Sequence, residues 1–419
     1  MTGKGVLLAV IDSGIEASHP FFYAPDGTSR IRALWDQTMD GTHPNGFEYG
    51  TEYSKQIPDC DLTGHGTAVA GCTWQAPECD LLIVKRDRWN EKNCFSPLTE
   101  GSCKAWKERM DHNMEHLLNG VEYAIQKAEI YGMPVVVNVS VGYVWGVRDG
   151  TTWYEKKLTE LSKRWKTVIC VGTGNEGKTG GYSTGLFQCD EYTIVPFTVS
   201  KYEKVVRMQL WISKWNDVEV EIKNPMGTEV LYEQFRFEEG EHRAILLGFT
   251  LDYKETGEGI WNLLLKPRRE GLGTYHIWFS SQSTRCVGTQ FVFPSEERTL
   301  TTPASAAGIV AVGAYDQRNK SIATFSGRYS GVLENVSIQA NTLLEKPEIY
   351  APGVFVKTIT VSGEYQYVTG TSFATPYVSG IVAQMLEWGT VRENDPFLYG
   401  NRVIRYLKKW NHSLTKSWK

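Results

Sequence analysis

Apolar residues along the chain fall into two alternating patterns. Val6–Ile11 is an unbroken apolar run, which predicts a strand buried on both faces of a parallel sheet. Leu81–Lys85, Pro134–Val141 and Thr167–Val171 repeat that pattern. Between them, Met114–Tyr131 carries Leu117, Val121, Ala124, Ile125 and Ala128 at a helical period, and Gly132 ends it. Leu158–Trp165 and Phe373–Trp388 read as helices too. Strands alternating with helices predict an α/β fold, a doubly wound and mostly parallel sheet flanked by helices.

From Gln188 to Glu297 the pattern changes. Thr193–Val199, Val206–Ile212, Val218–Ile222, Ala244–Leu251, Ile260–Leu265 and Tyr275–Phe279 are strand-like. Turn residues separate them at Asn224-Pro225-Met226-Gly227 and Glu270-Gly271-Leu272-Gly273. No useful helical period appears, so residues 188–298 are expected to form an inserted antiparallel β-sandwich. The main body then comprises residues 1–187 and 299–400. A tail, 401–419, carries Val403, Ile404 and Leu407 and predicts a short packed helix, or else a partner-binding tail.

The ends of the two-face-buried strands hold the candidate chemistry. Asp12 follows Val6–Ile11 directly, with Ser13-Gly14 as a turn; open α/β sheets place their chemistry at the carboxyl ends of strands. His65 sits among small residues in Thr63-Gly64-His65-Gly66-Thr67, at the start of a helix. Ser372, in Gly370-Thr371-Ser372, lies where a strand-like run becomes a helix, and an oxyanion formed there would meet free N–H groups. Pro376 is expected in the first turn of that helix, where proline is tolerated. Each stretch alone fits a capped helix or a structural polar residue. Together they supply an acid to orient a histidine, a histidine to take a proton and a serine to attack.

Asp, His and Ser in these motifs and this order resemble the subtilisin-like serine proteases, the subtilases. The resemblance covers Gly3 to about Phe187 and about Thr299 to Trp388. It implies peptide-bond hydrolysis through Asp12, His65 and Ser372, with protein or peptide substrates. Gly174-Asn175-Glu176-Gly177 then marks Asn175 as the oxyanion donor. Ser140, Val141, Gly142 and Gly174 become the substrate-binding residues, although Tyr143 stands where many relatives have a small residue. The insertion looks like the jelly-roll of the clostridial spore germination proteases, subtilases that activate a cortex-lysing zymogen. Calcium often supports subtilases, but no oxygen-rich loop stands out, and no cofactor is expected.

Composition changes the picture little. The chain has 419 residues, 41% hydrophobic and 22% charged, with net charge −4. Without a basic excess, neither nucleic acid nor an anionic membrane is an expected partner. No apolar run could span a bilayer, and no signal peptide precedes Val6, which favours a cytoplasmic or spore-associated protein over a secreted one. The eight cysteines form no C-x-x-C pair and are expected as free thiols. His112-Asn113-Met114-Glu115-His116 matches an inverted zinc-protease pattern, but on an ordinary outer helix. Holding no catalytic motif, the insertion is expected to contribute no chemistry. A non-catalytic scaffold that binds partners through this insertion is the alternative function.

Overall fold

The computed structural model describes residues 1–86, 100–187, 191–251, 259–268, 272–329 and 345–416, with side chains to residue 412. Cys94, Cys189, Tyr253 and most of the polar stretch Asp87–Cys103 lie outside the described residues. The main body begins with β1 (Leu7–Asp12), β2 (Ile31–Asp36), β3 (Thr51–Tyr53), α1 (His65–Gly71) and β4 (Asp80–Lys85). It continues with α2 (Ser102–Tyr131), β5 (Val135–Val139), α3 (Trp153–Leu161) and β6 (Thr167–Gly172).

The next eight-strand run, β7 (Tyr182–Phe187), β8 (Thr193–Thr198), β9 (Val205–Ser213), β10 (Val218–Lys223), β11 (Glu233–Glu239), β12 (His242–Thr250), β13 (Ile260–Pro267) and β14 (Gly273–Phe279), is closed by the short β15 (Gln290–Phe291). The chain returns through β16 (Val310–Asp316), β17 (Ser321–Ile322), β18 (Ile349–Pro352), β19 (Val356–Ile359) and β20 (Tyr365–Val368). Two helices finish it, α4 (Thr371–Leu386) and α5 (Asn401–Lys416).

The central sheet has the order β17-β16-β6-β5-β1-β4-β2-β3, with β18 also on β16. Its inner pairings, β2-β4, β4-β1, β1-β5, β5-β6 and β6-β16, are all parallel. β1, β5 and β6 are buried at every position, because helices cover both faces. One face packs on α1 and α4, the other on α2 and α3. Parallel strands share one carboxyl edge, so Asp12, Ser140 and the residues after Gly172 emerge side by side. The geometry of the site follows from that register.

The helix boundaries differ from expectation in two places. α2 starts at Ser102, twelve residues before its periodic stretch, and Gly101 precedes it with a left-handed φ of 86°. α3 starts at Trp153, where Thr152 and Glu155 form a capping box; the sequence period had placed it at Leu158–Trp165.

Nine further strands make a four-stranded sheet, β10-β13-β8-β15, and a five-stranded one, β11-β12-β9-β14-β7, while β19 pairs with β20 alone. Their antiparallel pairings nest like a rolled hairpin: β11 with β12, β10 with β13, β9 with β14, β8 with β15. The strand period of two explains why this unit needs the main body. On β9, Val206, Met208, Leu210 and Ile212 point into the sandwich core. Trp211, on the opposite face, joins Val144, Val147 and Trp278 in a second cluster against the body. Gln209 accepts from Gly146 N–H at 3.0 Å and donates to Val144 O at 2.7 Å, replacing a backbone partner for that loop. The five-stranded sheet is therefore covered on both sides. Of the aromatic rings in this region, Trp211, Trp261, Trp278 and Tyr275 are buried and Trp215 is exposed.

Val403, Ile404 and Leu407 of α5 are buried in the core under α4. Cys60, Cys72, Cys79, Cys103, Cys170 and Cys286 are free thiols.

Candidate active site

The carboxyl end of β1 turns at Ser13-Gly14, which lets α1 approach it closely. A Cβ on Gly66 would lie 2.2 Å from Gly14 O, so only glycine permits this contact. Asp61 ties the two segments together. Its Oδ1 accepts from Ser13 Oγ at 2.9 Å and Gly64 N–H at 3.0 Å, and its Oδ2 accepts from Thr67 N–H at 2.8 Å. Ser13 Oγ accepts in turn from Gly66 N–H at 2.9 Å. Gly64, the N-cap, has no side chain to satisfy the first turn of α1; Asp61 does that work from outside.

This bracing sets one distance. His65 Nδ1 lies 2.6 Å from Asp12 Oδ1. Asp12 is fully buried and its Oδ1 also accepts Ser13 N–H at 2.7 Å. His65 keeps part of its ring open to the cleft, and that ring is 5.5 Å from Phe373. Nearby Cys60 cannot compete as a nucleophile, since burial pushes its thiol up to about 11. We expect Gly66→Ala to separate α1 from β1, costing roughly 1–3 kcal/mol of stability and most of any activity. A thermal melt together with turnover per folded molecule checks this, and an unchanged pair of values would count against it.

Ser372 is the second residue of α4. Pro376 lies in the fifth position after Thr371, beyond the first turn where the sequence reading put it. Its ring nitrogen cannot donate to Ser372 O as a helix would require. Ser140 Oγ fills the gap, donating to Ser372 O at 2.8 Å and accepting from Asn138 Nδ2 at 2.9 Å. Ser372 Oγ itself donates to Ser140 O at 3.1 Å. The end of β5 is thus stitched to the serine through Ser140.

Asn175 is exposed at the end of β6. Its Oδ1 accepts from Thr371 N–H at 3.1 Å and from Thr371 Oγ1 at 3.2 Å. With the oxygen engaged, the amide nitrogen is the end left for the cleft. Thr371 N–H goes to Asn175 and Phe373 N–H to Gly370 O at 3.2 Å, leaving Ser372 N–H between them. An amide and a backbone N–H converging at a helix start suit a developing oxyanion.

His65, Asn175, Ser372 and the proposed substrate-binding residues Ser140, Val141, Gly142 and Gly174 line one open cleft of about 720 Å³. Thr301 stands between its two glycine walls. A Cβ on Gly142 would meet Thr301 Oγ1 at 2.1 Å, and one on Gly174 at 2.3 Å. Thr301 Oγ1 is buried without a hydrogen-bond partner among the described residues.

The insertion reaches this cleft, which its lack of a catalytic motif does not foretell. Ser281–Thr284, the turn leaving β14, line it alongside Glu176. Ser281 Oγ and Gln282 N–H both donate to Glu176 Oε1, at 2.8 and 3.1 Å. Behind them lies Arg148, fully buried and 4.5 Å from the Trp278 ring; burial lowers its guanidinium to about 10, and Glu176 opposes that. The register of β14 with β7 delivers this turn, so no local motif could have disclosed it. Asp61, Thr301 and Thr371 were missed for a similar reason, as each acts through tertiary contacts. Asp61 had one local signal, an aspartate three residues before the helix-capping glycine.

The His112 and His116 rings pack with centres 3.9 Å apart and planes tilted by 43°, and His116 packs on Tyr49 at 4.4 Å. Among the described residues, no group of three or more His, Cys, Asp or Glu side chains is arranged to hold a metal ion. No described helix is long and apolar enough to cross a membrane.

The sequence matches the subtilase family over residues 3–195 and 287–407. The thermostable alkaline protease of Halalkalibacterium halodurans is 30% identical over 123 residues, 24% of this chain and 34% of that protein. Subtilisin E of Bacillus subtilis is 27% identical over 183 residues, 44% of this chain and 38% of that protein. The chain thus spans little more than a third of the length of either of these relatives. Among solved structures, the Clostridium perfringens CspB protease aligns over 97% of this chain and 87% of its own, with 25% identity and a TM-score of 0.76.

Proposed function

This chain belongs to the subtilase family, and from that premise we propose that it is a serine endopeptidase acting through an acyl-enzyme on Ser372. The observation that carries the reading is the 2.6 Å contact of buried Asp12 with His65, in one cleft with Ser372 and Asn175. Ser372 Oγ leaves its contact with Ser140 O and attacks the scissile carbonyl carbon as His65 Nε2 takes its proton. Asp12, paired with Nδ1, fixes the imidazole tautomer and stabilises the imidazolium. The tetrahedral oxyanion accepts from Asn175 Nδ2 and Ser372 N–H. His65 then protonates the leaving amine, and water repeats the sequence on the ester.

Labelling with an aryl phosphonate tests this. The native protein should carry one adduct, on Ser372, and the Ser372→Ala variant none. An unlabelled native protein would instead favour a scaffold. Asn175→Ala should lower kcat roughly a hundred- to a thousandfold, on the scale known from subtilisin, because its amide meets charge present only in the transition state. KM should change little. A raised KM with unchanged kcat would make Asn175 a pocket residue.

The finer reading is a protease of limited processing that activates a protein zymogen. Its support is the likeness to the CspB protease across the main body and insertion together. The nested pairing of β8–β15 supports a jelly-roll for the insertion. Limited processing would appear as a single new amino terminus in a folded precursor protein, with casein left largely intact.

A further inference from the structure

Arg86 is the residue after β4, next to the register position where Lys85 faces Asp12. Its backbone N–H donates to Asp12 O at 2.9 Å. Only 3% of the residue is exposed, yet it lines the catalytic cleft. The guanidinium lies 5.4 Å from the centre of the Tyr143 ring, and Nη2 donates to the Tyr143 hydroxyl. Arg86 Nε has no hydrogen-bond partner among the described residues. Among the described residues no carboxylate pairs with this guanidinium.

Two other cations of the main body show how unusual that is. Lys85 pairs with Asp36 at 2.9 Å. Arg30, also buried, donates to Cys79 O at 3.1 Å and Ala76 O at 3.0 Å. A buried cation lacking both a counter-charge and carbonyl acceptors destabilises the fold unless something supplies the anion. The aromatic face supplies part of it. The guanidinium borders the cleft beside the Tyr143 hydroxyl.

We propose that Arg86 and Tyr143 form a subsite for an acidic side chain of the peptide substrate. The carboxylate accepts from the Tyr143 hydroxyl, which is itself held by Arg86 Nη2, and so meets the guanidinium charge through that hydroxyl. Both groups are pre-positioned, since Tyr143 exchanges two backbone hydrogen bonds of 2.9 Å with Thr302. The distance along the substrate follows from the strand. Ser140 O touches Ser372 Oγ at 3.1 Å, and Tyr143 lies three residues further on, about 10 Å at roughly 3.3 Å per residue. The acidic residue therefore sits two to four positions from the scissile bond. Tyr143, which departs from the small residue of many subtilases, thereby gains a role.

This subsite rests on the peptidase reading, and its test separates the two. Decapeptides randomised at every position are digested with the native protein and the cleaved products sequenced. Asp and Glu should be enriched at one position two to four residues from the cut. Matched Glu and Gln peptides should then differ by roughly ten- to a hundredfold in kcat/KM, as a charged hydrogen bond would give. Because the contact is remote from the reacting carbonyl, the difference should lie mainly in KM. In Arg86→Met the Glu/Gln ratio should fall to about one, and Arg86→Lys should retain part of it. Cleavage without acidic enrichment, or a ratio unchanged in Arg86→Met, overturns the subsite while leaving the peptidase reading intact. Should neither variant fold, the native Glu/Gln ratio still decides. If the native protein cleaves nothing, the peptidase reading fails, and retention of the same library on immobilised Ser372→Ala protein decides the subsite by acidic enrichment or its absence.

Discussion

Ser372→Ala and His65→Ala are each expected to lower kcat about a millionfold, the scale at which the same constellation fails in subtilisin. The double variant should be little worse than either single. The reason is mutual dependence: a serine hydroxyl is a weak nucleophile until His65 accepts its proton, and His65 has no proton to take without Ser372. Neither change should unfold the protein. Ser372 is fixed through its backbone by Ser140 Oγ and the start of α4, and the fold around His65 is braced by Asp61. Turnover by each variant, measured against a native standard at equal folded concentration, checks the expectation. A double variant markedly worse than the singles would mean that the two residues act separately.

Asp12→Asn should cost about ten-thousandfold in kcat, as removing the triad carboxylate charge does elsewhere. The substitution keeps the shape of a fully buried side chain, so the melting temperature should move little. What disappears is the negative charge 2.6 Å from His65 Nδ1, which holds the tautomer and offsets the imidazolium formed during attack. Stopped assays over a range of pH, with circular dichroism as the structural control, measure this. Loss of less than tenfold would remove Asp12 from the chemistry.

Much of the main body was legible because its strands are buried on both faces. β1, β4, β5 and β6 appear in the sequence as apolar runs, and their carboxyl ends point directly to Asp12, Ser140 and Asn175. The α/β architecture and the antiparallel insertion follow from the change of period between them. What the period could not show is which sheet of the insertion is covered twice. Trp211 and Gln209 look like ordinary alternate positions on β9, and only their contacts with Val144 and Gly146 give them a task. Pro376 taught a similar lesson. Spacing placed it in the first helical turn, whereas its position opens the carbonyl that Ser140 fills. The turn Ser281–Thr284 and Arg86 belong to no recognisable pattern, since their meaning comes from strands distant in the chain meeting at one edge. His112 and His116 did form a pattern, but on α2 their rings pack against each other, and His116 packs on Tyr49.

The most direct test is to catch the acyl-enzyme. A peptide ester mixed with the native protein and quenched in acid during turnover should leave one acyl group, mapped by tandem mass spectrometry to Ser372. His65→Ala protein treated identically should carry none. Turnover with Ser372 unmodified, or with the acyl group on another residue, would contradict the account.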